Sequence, residues 1–408
     1  MRVGIFGALL LISAMAGKVS AQQVCGSVEY QQKAWLANPA IKTMVENIVQ
    51  QQVDGGSQTQ QRGEHLFLIT IPVVVHVVYH EASQNISDEY INSQLKLLNQ
   101  CFRRLNADTS KTPERFRSVA ADCDIEFKLA ISDPRRRATT GIIRRYSPVG
   151  KWEQDDQVKY TNKGGDDAWD PNSYLNIWVC NLNRILGYSS FPGSEPAKDG
   201  VVMSFNAFRG QKTLVHETGH WMGLKHLWGD ADCGDDGVDD TPKQSTFTSG
   251  CPSGIRLSPC SNTAYGDMYM NYMDFTDDAC INMFTEGQKT KMRSQFNKGG
   301  TRQGILTSFG LQAPLIAEIP VGETEPKWFF ANVYPNPTAG ELTLDLAYDV
   351  RWIGKTITIT SSQGLPQMQV VITSKSMKLD ISKLKTGVYF MTAKKDDGEE
   401  MKQKLIKL

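Results

Sequence analysis

The stretch His216-Glu217-Thr218-Gly219-His220-Trp221-Met222-Gly223-Leu224-Lys225-His226 decides how this 408-residue chain is read. His216 and His220 are four apart, so on a helix they stand on one face and can chelate one ion. Glu217 sits beside them, placed to take a proton from a water held by the metal. Gly223 permits a sharp turn with positive φ, which lets His226 come back as a third ligand. Three protein ligands leave one position open, which marks a catalytic rather than a structural zinc site. A bare pair of histidines around a glutamate arises in unrelated proteins on surface or core helices. The glycine and the third histidine at fixed offsets make the zinc reading far more specific.

Outward from this stretch, the pattern upstream is strands followed by helices. Leu66 to Tyr79 is dense in Ile and Val, with Pro72 early in it, and reads as a buried strand. Ser87 to Leu105 places Ile91, Leu95, Leu98, Cys101 and Phe102 at helical spacing, with Ser87, Asp88 and Glu89 as a helix start. Ile125 to Ile131, Gly141 to Arg145 and Tyr174 to Cys180 read as further strands. Together they predict an α+β, mixed-sheet domain over residues 62–312.

The chain's two ends read differently. Arg2, the apolar or small run from Val3 to Ala16, and Val19-Ser20-Ala21 form a secretory signal peptide over 1–21, with Gln22 as the expected start of the exported chain. A membrane anchor would need about 20 apolar residues, more than this run supplies. Val24 before Cys25 is not the small residue of a lipid attachment site. Residues 22–61 are Gln-rich and weakly patterned, and read as a processed pro-segment ending in an exposed linker. Pro314, Pro320 and Pro326 mark 313–328 as a linker. Over 329–408, Leu342 to Leu346, Thr356 to Thr360, Gln369 to Thr373 and Val388 to Ala393 alternate between turn residues, implying a small all-β sandwich.

Lys+Arg and Asp+Glu are both 44. That balance gives no reason to expect nucleic acid or an anionic membrane as partner. No stretch after the signal peptide is long and apolar enough to span a membrane. Export permits disulfides. Of eight cysteines, Cys233, Cys251, Cys260 and Cys280 lie close together, whereas Cys25, Cys101, Cys123 and Cys180 are scattered.

The extended zinc motif, with Asn271-Tyr272-Met273-Asp274-Phe275 as a methionine turn, is the metzincin signature. Met273 would then form an apolar floor and not a ligand. Residues 66 to 293 resemble the pappalysin family of metzincins. The resemblance rests on His216 to Leu224, on Val238-Asp239-Asp240-Thr241-Pro242, and on Asn271 to Asp278 leading into Cys280 and Phe284-Thr285. It implies a secreted zinc endopeptidase, made as a latent zymogen and often cutting ahead of a basic residue. It also implies disulfides Cys233–Cys260 and Cys251–Cys280, which spacing alone leaves open.

Calcium is a further implication, with Asp236 and Thr241 as the best matches in the acidic run Asp230, Asp232, Asp235, Asp236, Asp239 and Asp240. The alternative is a solvated acidic loop. Cys25-Gly26 resembles a cysteine switch, in which a pro-segment thiolate takes the open metal position; a disulfide from Cys25 to Cys101, Cys123 or Cys180 is the alternative. One departure is Phe275, where the family usually has a tyrosine that steadies the tetrahedral intermediate. Phe cannot donate a hydrogen bond, and the neighbouring Tyr272 need not face the metal.

The C-terminal module resembles the sorting domain of type IX secretion through Val333-Tyr334-Pro335-Asn336-Pro337, Leu384 to Tyr389 and the ending Lys404-Leu405-Ile406-Lys407-Leu408. Its partners would be the type IX machinery, and the enzyme would be secreted or held at the cell surface. The bland reading is a sandwich for substrate or carbohydrate binding. Two rivals differ in function. A secreted binding protein or adhesin with an inert metal site is disfavoured because Glu217 and all three histidines are present. An amidase or exopeptidase is disfavoured by the pro-segment and the extended catalytic domain.

Overall fold

A computed structural model describes residues 25–37, 39, 43, 67–208, 210–317, 332–346, 352–374, 376–394 and 400–408. The expected signal peptide, the end of the expected pro-segment and most of the linker lie outside these residues. No described helix is long and apolar enough to cross a membrane.

The first domain is built on β1 (Ile69–Tyr79). Its run of Val and Ile is buried on both faces, as befits the centre of a largely parallel sheet. Around it lie β2 (Ile125–Leu129), β3 (Ile142–Tyr146), β4 (Leu175–Cys180), β5 (Gly187–Ser189) and β6 (Val201–Ser204). The sheet order is β2-β1-β4-β6-β5, with β3 continuing the β2 side of β1. β1 pairs in parallel with β2, β3 and β4, and β4 with β6. The exception is β5, which runs antiparallel to β6 and forms the sheet edge.

Helices α2 (Asp88–Phe102), α3 (Thr213–Trp221) and α4 (Glu286–Ser294) cover one face, while α1 (Ser27–Ala37), within the expected pro-segment, lies at the β5 edge. Ser87 caps α2, accepting from Tyr90 N. Thr285 and Gln288 close a capping box on α4. The principal core lies between this sheet and α2, α3 and the Met273 segment. On the sheet's other face, Trp152, Trp178, Tyr188 and Val202 form a separate aromatic cluster that includes Tyr30.

α1 occupies part of the tract that sequence periodicity leaves unpatterned. It is anchored by packing, since the two residues before it, Cys25 and Gly26, pair with β5. The first residues of the expected linker also stay on the domain: Leu315 N bonds Arg136 O at 2.8 Å and Ala138 N bonds Ile316 O at 2.8 Å.

The C-terminal module is antiparallel throughout. One sheet has the order β10-β9-β12-β13 (Pro366–Val371, Thr356–Ser361, Gly387–Lys394, Glu400–Lys407). The other is β11-β8-β7 (Ser376–Asp380, Glu341–Asp345, Asn332–Tyr334). Leu342, Leu344, Ile357, Ile359, Met391 and Leu405 share one core between them. The charged tail is therefore an edge strand, with Leu405 and Lys407 buried and Lys402 and Lys404 turned outward.

Candidate metal centre and active-site cleft

His216 and His220 project from α3, and Gly223 follows that helix at φ +92°. This left-handed turn reverses the chain and delivers His226. The three Nε2 atoms lie 3.1 to 3.2 Å from one another. Each Nδ1 has its own acceptor: Tyr272 O at 2.7 Å, Leu224 O at 2.8 Å and Asp230 Oδ1 at 2.5 Å, respectively. Those bonds fix the tautomer, with the proton on Nδ1 and the lone pair on Nε2. Burial holds His216 and His226 down at about 3 and His220 well below its ordinary value, so all three stay neutral.

Three lone pairs converging at hydrogen-bond distance, with no proton left among them, repel unless a cation sits between them. Nitrogens on a tetrahedral zinc with bonds of ~2.0–2.1 Å would be about 3.3 Å apart, so the donor set fits that ion. Cys25 Sγ completes the group. It lies 3.5 Å from His220 Nε2, and the four ligand atoms are all within 4.8 Å of one another. This is the sole such group of His, Cys, Asp or Glu among the described residues. Desolvation, with Glu217 beside it, pushes the Cys25 thiol up, although hydrogen bonds from Ser27 pull the other way; a cation at the histidines would further favour the thiolate.

Glu217, on the same helix, is fully buried. Burial pushes its carboxyl up to about 7, although bonds from Ser27 and Cys25 pull the other way. Ser27 Oγ donates to Glu217 Oε2 at 2.6 Å and accepts from Ser189 N at 2.8 Å. Gly26 N bonds Gly187 O at 2.9 Å. Residues 25–27 of the expected pro-segment thus lie along the free edge of β5, where an extended peptide could add to the sheet.

Met273 lies under α3. A β-carbon built on Gly219 would stand 2.6 Å from its sulfur, so only glycine allows this approach. Phe275 is half-buried against the histidines, 4.8 Å from the His226 ring and 5.1 Å from Trp228. Tyr272 faces away: its ring packs 4.8 Å from Phe284, with Cys101 beside its hydroxyl. It cannot replace the phenol that Phe275 lacks. The back of α3 is held by Arg302, whose guanidinium stacks 4.0 Å from Trp221 and pairs with Asp199; Trp221 Nε1 donates to the same carboxylate at 2.7 Å.

The acidic run disperses. Asp230 serves His226, and Asp240 accepts from Thr285 Oγ at 2.6 Å and Gly287 N at 2.8 Å at the start of α4. Asp236 and Thr241 do meet: Thr241 Oγ is 2.9 and 3.0 Å from the Asp236 carboxylate oxygens and 2.7 Å from Val238 O. Lys291 Nζ bonds Asp236 O at 2.6 Å. Cys233 is bonded to Cys260 and Cys251 to Cys280. Cys25, Cys101, Cys123 and Cys180 are thiols.

Sequence reasoning missed Ser27, Asp199 and Arg302 altogether, and assigned Asp230 to the wrong neighbourhood. Only Asp230 had a local signal, lying one helical turn's worth of residues after His226.

A mixed sheet, a helix bearing two histidines, a glycine turn to the third and a methionine floor together define a metzincin-type zinc metallopeptidase. Residues 158–297 match the peptidase family described as pregnancy-associated plasma protein-A, and residues 332–408 match the secretion system C-terminal sorting domain. Mature mirolysin of Tannerella forsythia, solved with a cleaved peptide, is 45% identical, covering 59% of this chain and 96% of that one with a TM-score of 0.58. A promirolysin mutant of the same organism is 40% identical, covering 70% and 97% with a TM-score of 0.63. An extracellular metalloprotease of Arthroderma gypseum is 29% identical over 320 residues, 73% of this chain and 92% of the relative. The chain belongs to the pappalysin family of zinc metalloendopeptidases. It carries a C-terminal type IX sorting domain and is a secreted or cell-surface enzyme.

Proposed function

We propose that the mature enzyme cuts proteins internally with Glu217 as general base and His216, His220 and His226 as zinc ligands, and that residues 22–61 hold it latent until removed. The observation that carries this reading is the convergence of three Nε2 lone pairs, each fixed by its own Nδ1 acceptor. Zinc supplies Lewis acidity when held there. Glu217 takes a proton from the attacking water and later hands it to the leaving amine. A single carboxylate can serve both steps, accepting the proton from water and returning it to the leaving group.

In the precursor, Cys25 fills the remaining ligand position and Ser27 occupies the base. The likeness to a promirolysin, which covers more of this chain than the mature form does, supports the zymogen reading. A basic residue after the cut follows from the family resemblance, and Gln61-Arg62 offers such a bond for removal of the pro-segment. The test is cleavage profiling of the purified mature enzyme on a peptide library, with and without a chelator, together with N-terminal sequencing of the active form. Chelator-resistant cleavage, or a mature start before Gln50 or inside β1, would contradict it. Calcium at Asp236 and Thr241 is a further part of this reading, supported by the oxygens gathered there.

A further inference from the structure

Tyr30, three residues beyond Ser27, sends its side chain over the β5 edge into the aromatic cluster on the far face of the sheet. Its hydroxyl donates to Asp156 Oδ2 at 2.8 Å, and its ring lies 5.1 Å from that of Tyr188. Asp156 and Lys159 are both buried, and both belong to the catalytic domain. Asp156 Oδ1 is already satisfied, by Lys159 Nζ at 2.8 Å and Tyr188 Oη at 3.3 Å. Among the described residues, Oδ2 receives its hydrogen bond from Tyr30 alone. Lys159 is pinned in turn by Lys198 O at 2.6 Å, and its ammonium stands 5.2 to 5.3 Å from the rings of Tyr30, Tyr188 and Trp178.

The catalytic domain therefore holds a ring-shaped recess, walled by aromatics and ending in a carboxylate oxygen that asks for one donor. Its other members bond among themselves, so the recess does not depend on the pro-segment for its shape. It also abuts the edge strand: Tyr188 is the middle residue of β5, between the two residues whose backbone groups hold Gly26 and Ser27. An extended peptide added to β5 has side chains pointing alternately to the two faces of the sheet. Those on one face meet α3 and the histidines. Those on the other are directed toward Tyr188 and Asp156.

We propose that, once the pro-segment leaves, the recess filled by Tyr30 becomes a specificity subsite for a substrate side chain that is a ring with a hydrogen-bond donor, namely tyrosine. The proposal rests on removal of the pro-segment and on the cleft assigned above. A phenylalanine fills the walls but leaves Asp156 Oδ2 without a partner in a buried place. A basic side chain brings a donor but places a second cation beside Lys159. Tyrosine satisfies both demands.

The experiment uses the mature enzyme and fluorogenic peptides of one parent sequence, with Tyr, Phe, Lys or Ala placed in turn at each position on both sides of the cut. At one position, Tyr should exceed Phe by about tenfold in kcat/KM, because a site built to bond a hydroxyl rejects the analogue lacking it. The difference should reside mainly in KM. Asp156→Asn, with folding checked by thermal melting, should lower that Tyr-to-Phe ratio, since a neutral amide replaces the carboxylate and the hydroxyl loses its charge-assisted bond. Equal use of Tyr and Phe at every position by the wild-type enzyme overturns the proposal, whether or not the variant folds. So does a ratio unchanged in a folded Asp156→Asn enzyme. A preference for Lys at the position would show that the acidic wall, and not the ring, selects. Failure of the mature enzyme to cut any peptide would instead sink the function proposed above.

Discussion

Ser27 Oγ donates a 2.6 Å hydrogen bond to Glu217 Oε2, joining a pro-segment hydroxyl to the carboxylate that the proposed chemistry uses as base. Two residues earlier, Cys25 Sγ lies 3.5 Å from His220 Nε2. Latency on this arrangement has two points, one at the metal position and one at the base. Cys25→Ala should give a precursor that activates itself faster than the parent. Ser27→Ala should do so to a lesser degree, because the loss of one hydrogen bond to a charged group is worth ~1.5–3 kcal/mol. The time course of precursor conversion measures both. A Cys25→Ala precursor as latent and as slowly processed as the parent would remove the switch.

Glu217→Ala should abolish proteolysis and leave zinc bound. The side chain is adjacent to the imidazoles without joining their cluster, and loss of a general base costs ~10²–10⁴-fold or more. Metal content by atomic absorption, set against activity on the same preparation, is the measurement. Substantial activity in a zinc-loaded variant would defeat the mechanism.

Phe275→Tyr should raise kcat with little change in KM. The Phe275 ring is within 5.6 Å of His216 and 4.8 Å of His226, while Tyr272 is turned into the core. A well-placed donor to a developing oxyanion is worth roughly 2.7–4 kcal/mol in other hydrolases, an upper bound here. Unchanged or reduced kcat in a folded variant would show that Phe275 does not stand in for a missing donor.

Calcium should stabilise the catalytic domain through Asp236, whose carboxyl burial pushes up to about 6. At a free concentration about a hundredfold above Kd, the gain would be about 2.7 kcal/mol. Asp236→Ala should erase the melting shift. Absence of any shift in the parent would mean that the Lys291 ammonium, 2.6 Å from Asp236 O, already supplies the loop's positive charge.

Removing residues 404–408 should leave the enzyme in the periplasm. The deletion takes Leu405 from the core and breaks the bridge between Thr338 and Lys407. Lys404→Glu, at an exposed position of the edge strand, separates recognition from folding. Normal appearance of both variants in the medium would contradict a sorting role for this tail.

The metal centre was legible because its geometry is local. Four-residue spacing on a helix and a glycine at the turn put three histidines at one point whatever the rest of the chain does. β1 was legible as a run dense in Val and Ile, and α2 and most strands of the C-terminal module through burial with a period of about 3.6 or of two. β5 is three residues long, and β13 places Gln403 and Lys407 on its inward face beside Met401 and Leu405, so neither shows an apolar period in its sequence. The acidic run read as one feature because its members are neighbours in sequence, yet the fold sends Asp230 to His226 and Asp240 to the start of α4.

By itself, then, the sequence pointed to the proposed ligand residues, the proposed neighbouring base, the methionine segment and the presence of a β module at the C-terminal end. Tertiary structure alone decided what holds each imidazole, that Tyr272 faces Phe284 while Phe275 faces the histidines, and that Cys25, Ser27 and Tyr30 reach three different places in the cleft. Ser27 and Glu217 are 190 residues apart. A contact of that separation is made by the path of the chain over the sheet edge, and side-chain periodicity carries no record of that path.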